Sequence, residues 1–323
     1  MKTVFIVNPK AGKKNNIDAL VERIKSAAES IMADVEIYKT RAVGDACEFV
    51  RGFCKKHGKA RFIACGGDGT LGEVINGAVE CEGAEIGVIP MGTGNDFVKN
   101  FDGNFQDIKA QITSKSEKCD VIRYTTECDG EKRVGYCANM FNIGFDCNVV
   151  DAMERIKKNT LASGSLAYFL GIFTTLVKKK GANLEIELDG NVRHKGKLLL
   201  TSIANGCFCG GGVKSNPAAC VHDGLMNVNI INNVSRLRFI TLLPYYMKGT
   251  HLGLKGIEKV ISNVGCKEIV IRPIGGKMRL CTDGEITSAG ETRFEIMPDG
   301  FSFVVPHSSR QQTQKESLVK TSH

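Results

Sequence analysis

The chain has 323 residues, of which 42% are hydrophobic and 24% charged, and it carries a formal charge of +8. That balance excludes a disordered or fibrous chain, and the length favours two domains over one. The surplus of cations favours anionic partners without naming one, and no nucleic-acid partner is expected.

Val4–Val7 predicts a buried strand. It is followed by the loop Asn8-Pro9-Lys10-Ala11-Gly12-Lys13-Lys14 and by a helix with Ile17, Leu20, Val21, Ile24 and Ala28 on one face. The loop lacks the glycine and lysine spacing of a P-loop. It reads either as a solvated basic loop or, from its place after the first strand of a parallel sheet, as a nucleotide contact. A second strand, Val35–Lys39, ends at Thr40, and the next helix carries Ala46, Phe49, Val50, Phe53 and Cys54.

The third strand, Phe62 to Cys65, breaks at Gly66-Gly67 and resumes as a helix with Leu71, Val74, Ile75 and Ala78 at i, i+3, i+4, i+7. A glycine turn at a helix N-terminus is an anion site, because backbone N–H groups point outward and the dipole favours negative charge. Asp68 in the middle of that turn would repel phosphate unless a cation lies between them or the carboxylate takes a proton from a hydroxyl. Gly66-Gly67-Asp68-Gly69-Thr70 therefore points to phosphoryl transfer rather than nucleotide storage. A fourth strand, Glu85–Pro90, leads into Met91-Gly-Thr-Gly-Asn-Asp96 and a further helical stretch. Four strand–helix alternations predict an α/β, doubly wound parallel-sheet nucleotide-binding domain with both glycine turns on one sheet edge.

Asn8-Pro-x-Ala-Gly12, Gly66-Gly-Asp-Gly-Thr-Leu-x-Glu-Val-Ile-Asn-Gly77 and Gly92-Thr-Gly-Asn-Asp96 resemble, in order and spacing, the diacylglycerol-kinase catalytic domain. More narrowly they are similar to the bacterial lipid kinases, relatives of sphingosine and ceramide kinases. The resemblance implies that ATP contacts Asn8, Pro9, Lys10, Ala11, Gly12, Thr40, Gly66, Gly67, Asp68, Gly69, Thr70, Leu71, Gly72 and Thr93. Gly72 departs from the family's usual Asn, which should loosen one contact without removing the phosphate cradle.

From Lys118 the texture turns to β. Cys119–Tyr124, Arg133 to Asn142 around Asp129-Gly130, and Leu184–Leu188 before Asp189-Gly190 predict strands and hairpins. Val228 and Ile230, Ile269 and Ile271, then Phe294 and Ile296 continue the alternation and predict a C-terminal β-sandwich-like domain. Two helices interrupt it, over Leu166–Val177 and Leu237–Met247, the second bent by Pro244, and both are expected to face the core. Lys178–Lys180 reads as a C-terminal cap on the first helix or as part of a membrane-facing basic surface. The expected domains are 1–117, 118–306, whose last strands can pack back on the first, and a polar tail 307–323.

The resemblance continues through Asn139–Val150, Gly164–Tyr168, Ala204–Gly206, Gly210–Gly212 and Asp223–Leu225. It implies a structural Mg²⁺ held by the Asp223 carboxylate and the carbonyls of Cys220 and Leu225, with Asp120 acting through water. Asn227 stands where the family often has an acid, which should weaken that site. By itself Asp223-Gly224 is a plain turn. Thr282-Asp283-Gly284-Glu285 matches the family's Asp-Gly-Glu motif; by itself it is a hairpin turn followed by a surface acid.

The expected function is transfer of the γ-phosphate of ATP to the hydroxyl of diacylglycerol or a related lipid alcohol. Glu285 is expected as general base, with Asp68 engaging catalytic Mg²⁺ or joining a carboxylate relay with Asp96 and Glu285. The alternatives are a kinase of a soluble substrate, NAD-kinase-like, and a catalytically silent nucleotide-binding protein. Thirteen cysteines without a Cys-x-x-Cys pair read as small buried hydrophobes in a reducing compartment. No signal peptide or membrane-spanning run is evident, so a cytoplasmic, transiently membrane-associated protein is expected, with homodimerisation left open.

Overall fold

The computed structural model describes residues 1–12, 17–128, 130–159 and 181–306. Gly164–Tyr168, the helix expected over Leu166–Val177, Lys178–Lys180, Asp129 and the tail 307–323 lie outside the described residues. The chain divides into two compact units. The first comprises Met1–Gly92, Phe101–Lys118 and the stretch from Phe301, and the second Thr93–Asn100 and Cys119–Gly300.

The first unit is a parallel sheet. Its strands β1 (Thr3–Val7), β2 (Val35–Lys39), β3 (Arg61–Gly66) and β4 (Glu85–Pro90) run in the order β2-β1-β3-β4. Ser302 and Phe303, near the end of the last strand β16 (Thr292–Val304), add to β4 in parallel. Every residue of β1 and β3 is buried, as continuous apolar runs covered on both faces require. Helices α1 (Ile17–Ser30) and α4 (Ile108–Thr113) close one face, where Leu20, Ile24 and Ile108 pack on Phe5, Val7, Ile63 and Ile89. Helices α2 (Asp45–His57) and α3 (Asp68–Ala78) pack on each other.

The second unit is a β-sandwich with one helical side. Its six-stranded antiparallel sheet has the order β12-β11-β10-β7-β14-β15, made of β7 (Met140–Gly144), β10 (Leu200–Ala204), β11 (Met226–Ile231), β12 (Ile261–Cys266), β14 (Met278–Thr282) and β15 (Glu285–Ala289). Facing it are β8 (Ala182–Leu188), β9 (Asn191–Leu198), β13 (Glu268–Pro273) and the start of β16, with β5 (Ser116–Cys128) and β6 (Glu131–Cys137) as a hairpin. The period of two is visible in the side chains. Phe141, Ile143, Ile203 and Val228 enter the sandwich core with Ile186, Ile269 and Phe294. Met140, Leu200, Ala204 and Ile231 on the other face pack with Phe145 and Val149 of α5 (Phe145–Asn159) and Leu243 of α6 (Arg236–Lys248).

Two expectations change. The helical stretch after Asp96 is only a 3₁₀ turn, Phe97–Asn100, whose last side-chain amide donates to the Phe97 carbonyl (2.8 Å) and so competes with helix continuation. Helix α6 is core-facing along one stripe alone. Leu237, Ile240 and Tyr245 are exposed, because its covered side consists of Phe239, Leu242, Leu243, Tyr246 and Met247. Pro244 does lie inside this helix.

Candidate active site

In the first unit the carboxyl ends of β1, β2 and β3 converge. The Asn8 N–H donates to the Cys65 carbonyl (3.0 Å) and the Thr40 N–H to the Val7 carbonyl (2.9 Å). Asn8 then turns the chain, its Oδ1 accepting from the Lys10 N–H (2.9 Å) and its carbonyl from the Ala11 N–H (3.1 Å). Its amide Nδ2 donates to Thr70 Oγ1 (3.0 Å), which fixes the rotamer of Thr70 and leaves that hydroxyl's proton as a donor. Asn8, Pro9, Lys10, Thr40 and Thr70 line one cleft of about 230 Å³.

The glycines of the turn are dictated by contact. A Cβ on Gly66 would lie 2.3 Å from Thr70 Oγ1, and one on Gly67 would lie 3.2 Å from the Gly92 Cα. The Met91 N–H donates to the Gly66 carbonyl (2.8 Å), so the ends of β3 and β4 are held side by side. Asp68 opens α3, in the first turn where the dipole favours a carboxylate or a phosphate. Leu71 is buried, so only its backbone faces the turn, and the Gly72 carbonyl accepts from Asn76 Nδ2 (2.8 Å). Beyond its chain neighbours and its own helix backbone, nothing lies within 4 Å of a Cβ built on Gly72, so a side chain fits there.

Sequence reasoning missed two charged residues of this cleft, Arg41 and Glu73. The Arg41 guanidinium pairs with Asp45 (3.1 Å) and holds its carboxyl below the usual range, while Glu73 accepts from the Ala46 N–H (3.1 Å). Arg41 directly follows Thr40 at the end of β2, and that adjacency was the available signal.

Thr93, Asp96 and Glu285 count with the second unit. Asp96 is buried; it pairs with Lys99 (2.7 Å) and accepts from the Gly211 N–H (2.8 Å). That bond requires the left-handed backbone of Gly210, Gly211 and Gly212, with φ of 58°, 87° and 116°. Glu285 is exposed at the first position of β15, after a two-residue turn of Asp283 and Gly284 with φ of 46° and 96°. Asp283 anchors that turn, its Oδ1 accepting from the Met140 N–H and its Oδ2 from the Cys137 thiol, both at 3.3 Å. Burial, with the charges of Cys137, Asp283 and Glu285, pushes the Tyr124 hydroxyl up to about 12.

The loop from Cys220 to Leu225 is wrapped on Asp120. That buried carboxylate accepts from the Gly224 N–H (2.7 Å) and the Asp299 N–H (3.0 Å), and the Asp120 N–H donates to the Val221 carbonyl (2.8 Å). Asp223 is exposed and spends one oxygen on the Leu225 N–H (3.0 Å). Among the described residues no three His, Cys, Asp or Glu side chains cluster as a metal site. A cation here would draw on Asp223, the carbonyls of Cys220 and Leu225, and water, an all-oxygen set that fits Mg²⁺. Asn227 is buried in β11.

The second unit holds a cavity of about 50 Å³ between α6 and the six-stranded sheet. Its wall is apolar, with Phe145, Leu200, Phe239, Leu242 and Val260, and Asp146, Tyr246 and His251 add polar groups. Burial lowers His251 and, with the nearby Asp146 charge, raises the Tyr246 hydroxyl, so both rings are neutral near pH 7.

Residues 2–124 match the family profile of the diacylglycerol kinase catalytic domain. Residues 139–305 match that of the YegS C-terminal NAD kinase beta sandwich-like domain. Lipid kinase YegS of Escherichia coli (strain K12) is 29% identical over 226 residues, 68% of this chain and 71% of that one. In the solved structures, a diacylglycerol kinase from Bacillus anthracis str. Sterne superposes with a TM-score of 0.68 at 21% identity, over 94% of this chain and 96% of that one. Yeast NADH kinase shares the fold more distantly, with a TM-score of 0.52 at 13% identity over 94% and 82% of the two chains. No described helix is long and apolar enough to cross a membrane. With a catalytic-domain match in its first part and a YegS match over more than half its length, the chain belongs to the YegS and diacylglycerol-kinase-like family of lipid kinases.

Proposed function

We propose that the chain transfers the γ-phosphate of ATP to the hydroxyl of diacylglycerol, or of a closely related lipid alcohol at a membrane surface. The observation that carries this reading is the Asn8–Thr70 bond beside the Gly66-Gly67 turn, a preformed phosphate cradle in a chain of the lipid-kinase family. Thr70 and the backbone N–H groups at the start of α3 would bind the phosphates, and Asn8, Pro9, Lys10 and Thr40 would hold the nucleotide beside them. A divalent cation, when bound, supplies charge neutralisation of the phosphate oxygens, and Asp68 is its expected carboxylate. Glu285, exposed and unencumbered by the bonds that occupy Asp283 and Asp96, is the expected general base that takes the proton of the lipid hydroxyl. Asp96 is then a positioning residue that holds the Gly210–Gly212 loop.

The apolar seam beneath α6, lined by Phe145, Leu200, Phe239, Leu242 and Val260 with Asp146 as its acidic group, is compatible with an apolar substrate. Terminally labelled ATP presented with diacylglycerol, other lipid alcohols and NAD in parallel tests the reading. Label in phosphatidic acid is expected. Label in NADP alone would replace the lipid with a soluble substrate, and no label in any acceptor would make the chain a silent nucleotide binder.

A further inference from the structure

Helix α6 has two apolar faces with different surroundings. The inward stripe, Phe239, Leu242, Leu243 and Tyr246, lines the cavity described above. The outward stripe is Leu237, Ile240 and Pro244, at i, i+3 and i+7, flanked by Tyr245. Leu237 is 74% exposed, Ile240 42% and Tyr245 45%, and Pro244 and Lys248 are exposed too. Single exposed apolar side chains are ordinary, but Leu237, Ile240 and Tyr245 gathered on one side of a short helix form an apolar patch suited to an interaction surface. Charge identifies what it meets. From Gly224 to Ile257 the chain holds four Lys or Arg residues and no Asp or Glu. Arg238 and Lys248 project from the helix carrying the apolar stripe, and both are exposed. A stripe of Leu, Ile and Tyr bordered by cations, on a helix too short to span a bilayer, is the pattern of a helix lying in the membrane interface.

We propose that α6 docks in the plane of an anionic bilayer surface, with Leu237, Ile240 and Tyr245 inserted among the acyl chains and Arg238 and Lys248 against the lipid phosphates. This deepens the lipid-kinase reading and rests on it for the choice of a membrane as occupant. The inner face of the docked helix then lies between the bilayer surface and the apolar cavity.

The chain contains no tryptophan, so Leu237→Trp introduces a single fluorescent reporter. On adding vesicles of phosphatidylglycerol and phosphatidylcholine, its emission should shift to the blue and be quenched by lipids brominated in the acyl chain. Vesicles of phosphatidylcholine alone should give much less. Emission unmoved by anionic vesicles overturns the proposal. So does emission already blue-shifted without lipid in a protein that sizes as a dimer, which would assign the stripe to a second copy of the chain. The double variant Leu237→Gln/Ile240→Gln should cosediment with anionic vesicles at least about tenfold less than the unaltered chain. It should keep its melting temperature and its transfer of phosphate to a short-chain diacylglycerol dispersed as monomers; undiminished cosedimentation overturns the proposal. The two readings fail separately. Phosphate transfer to the monomeric lipid with a silent tryptophan removes the docking and leaves the kinase. A vesicle-dependent tryptophan shift in a chain that phosphorylates no lipid keeps the docking and removes the kinase.

Discussion

At the scale of single residues, the proposed phosphate cradle is governed by one side-chain bond and one missing Cβ. Asn8 orients Thr70, and Thr70 occupies the space that any side chain at position 66 would need. The motif was legible because the requirement is local, a strand, a close turn and a helix start within ten residues. The character of individual members was less so: Leu71, read both on the apolar helix face and as a nucleotide contact, is core, and Arg41 reaches the cleft from another strand. Gly72 shows what the family's departure means physically. It sits inside α3 with empty space where a side chain would stand, so its cost is the backbone entropy of a helical glycine. Gly72→Ala should stabilise the first unit by about 0.5–1 kcal/mol, seen as a rise of a few °C in thermal melting. A fall in melting temperature would mean that the position needs glycine for a contact not visible here.

At the scale of elements, strands β3 and β4 are clamped at the end away from the cleft. Buried Arg61 pairs with Glu85 (2.6 Å) and donates to the carbonyls of Gln111 (3.0 Å), Ile112 and Ser114 (2.8 Å), tying the C-terminal end of α4 to the sheet. Nothing in the sequence marks Arg61 as more than a polar start to a strand, because its partners lie 24 to 53 residues away. Arg61→Ala would strand Glu85 and three carbonyls, and should cost about 3–5 kcal/mol in urea unfolding. A loss below about 1 kcal/mol would show the clamp to be solvated instead. Beside α6, burial depresses His251 below the ordinary histidine value near 6.5. The unfolded chain therefore binds a proton there more readily than the folded one. The stability tied to neutral His251 is complete above about pH 6.5 and is lost as the pH falls through its lower folded value. His251→Phe should flatten the dependence of unfolding free energy on pH below about 6.5. An unchanged slope would assign that dependence to other groups. The exposed face of α6 escaped the sequence reading because Leu237 and Ile240 have the same spacing as core residues, and only the direction of the helix tells which stripe is covered.

At the scale of the whole molecule, both sheets were legible and their membership was not. Alternating strands and helices, then alternating apolar and polar residues, identify a parallel sheet followed by a sandwich. The expected boundary at 117–118 falls inside β5, and the stretch from Phe301 counts with the first unit, as expected of the last strands, but Thr93–Asn100 counts with the second. Such exchanges rest on long-range pairing, Phe303 beside Ile86 and the Asn100 side chain accepting from the Cys207 N–H (2.8 Å), for which a local pattern has no mark. The residues proposed for the chemistry therefore lie far apart in sequence, the Gly66–Thr70 turn in the first unit and Asp96 and Glu285 in the second. The most direct measurement is turnover and ATP affinity of Glu285→Ala, taken side by side with diacylglycerol as acceptor. The account predicts a loss of about 10²–10⁴-fold in kcat with ATP binding essentially unchanged. Retained turnover, or ATP binding lost in step with it, would contradict the assignment of Glu285 as the base of a lipid kinase.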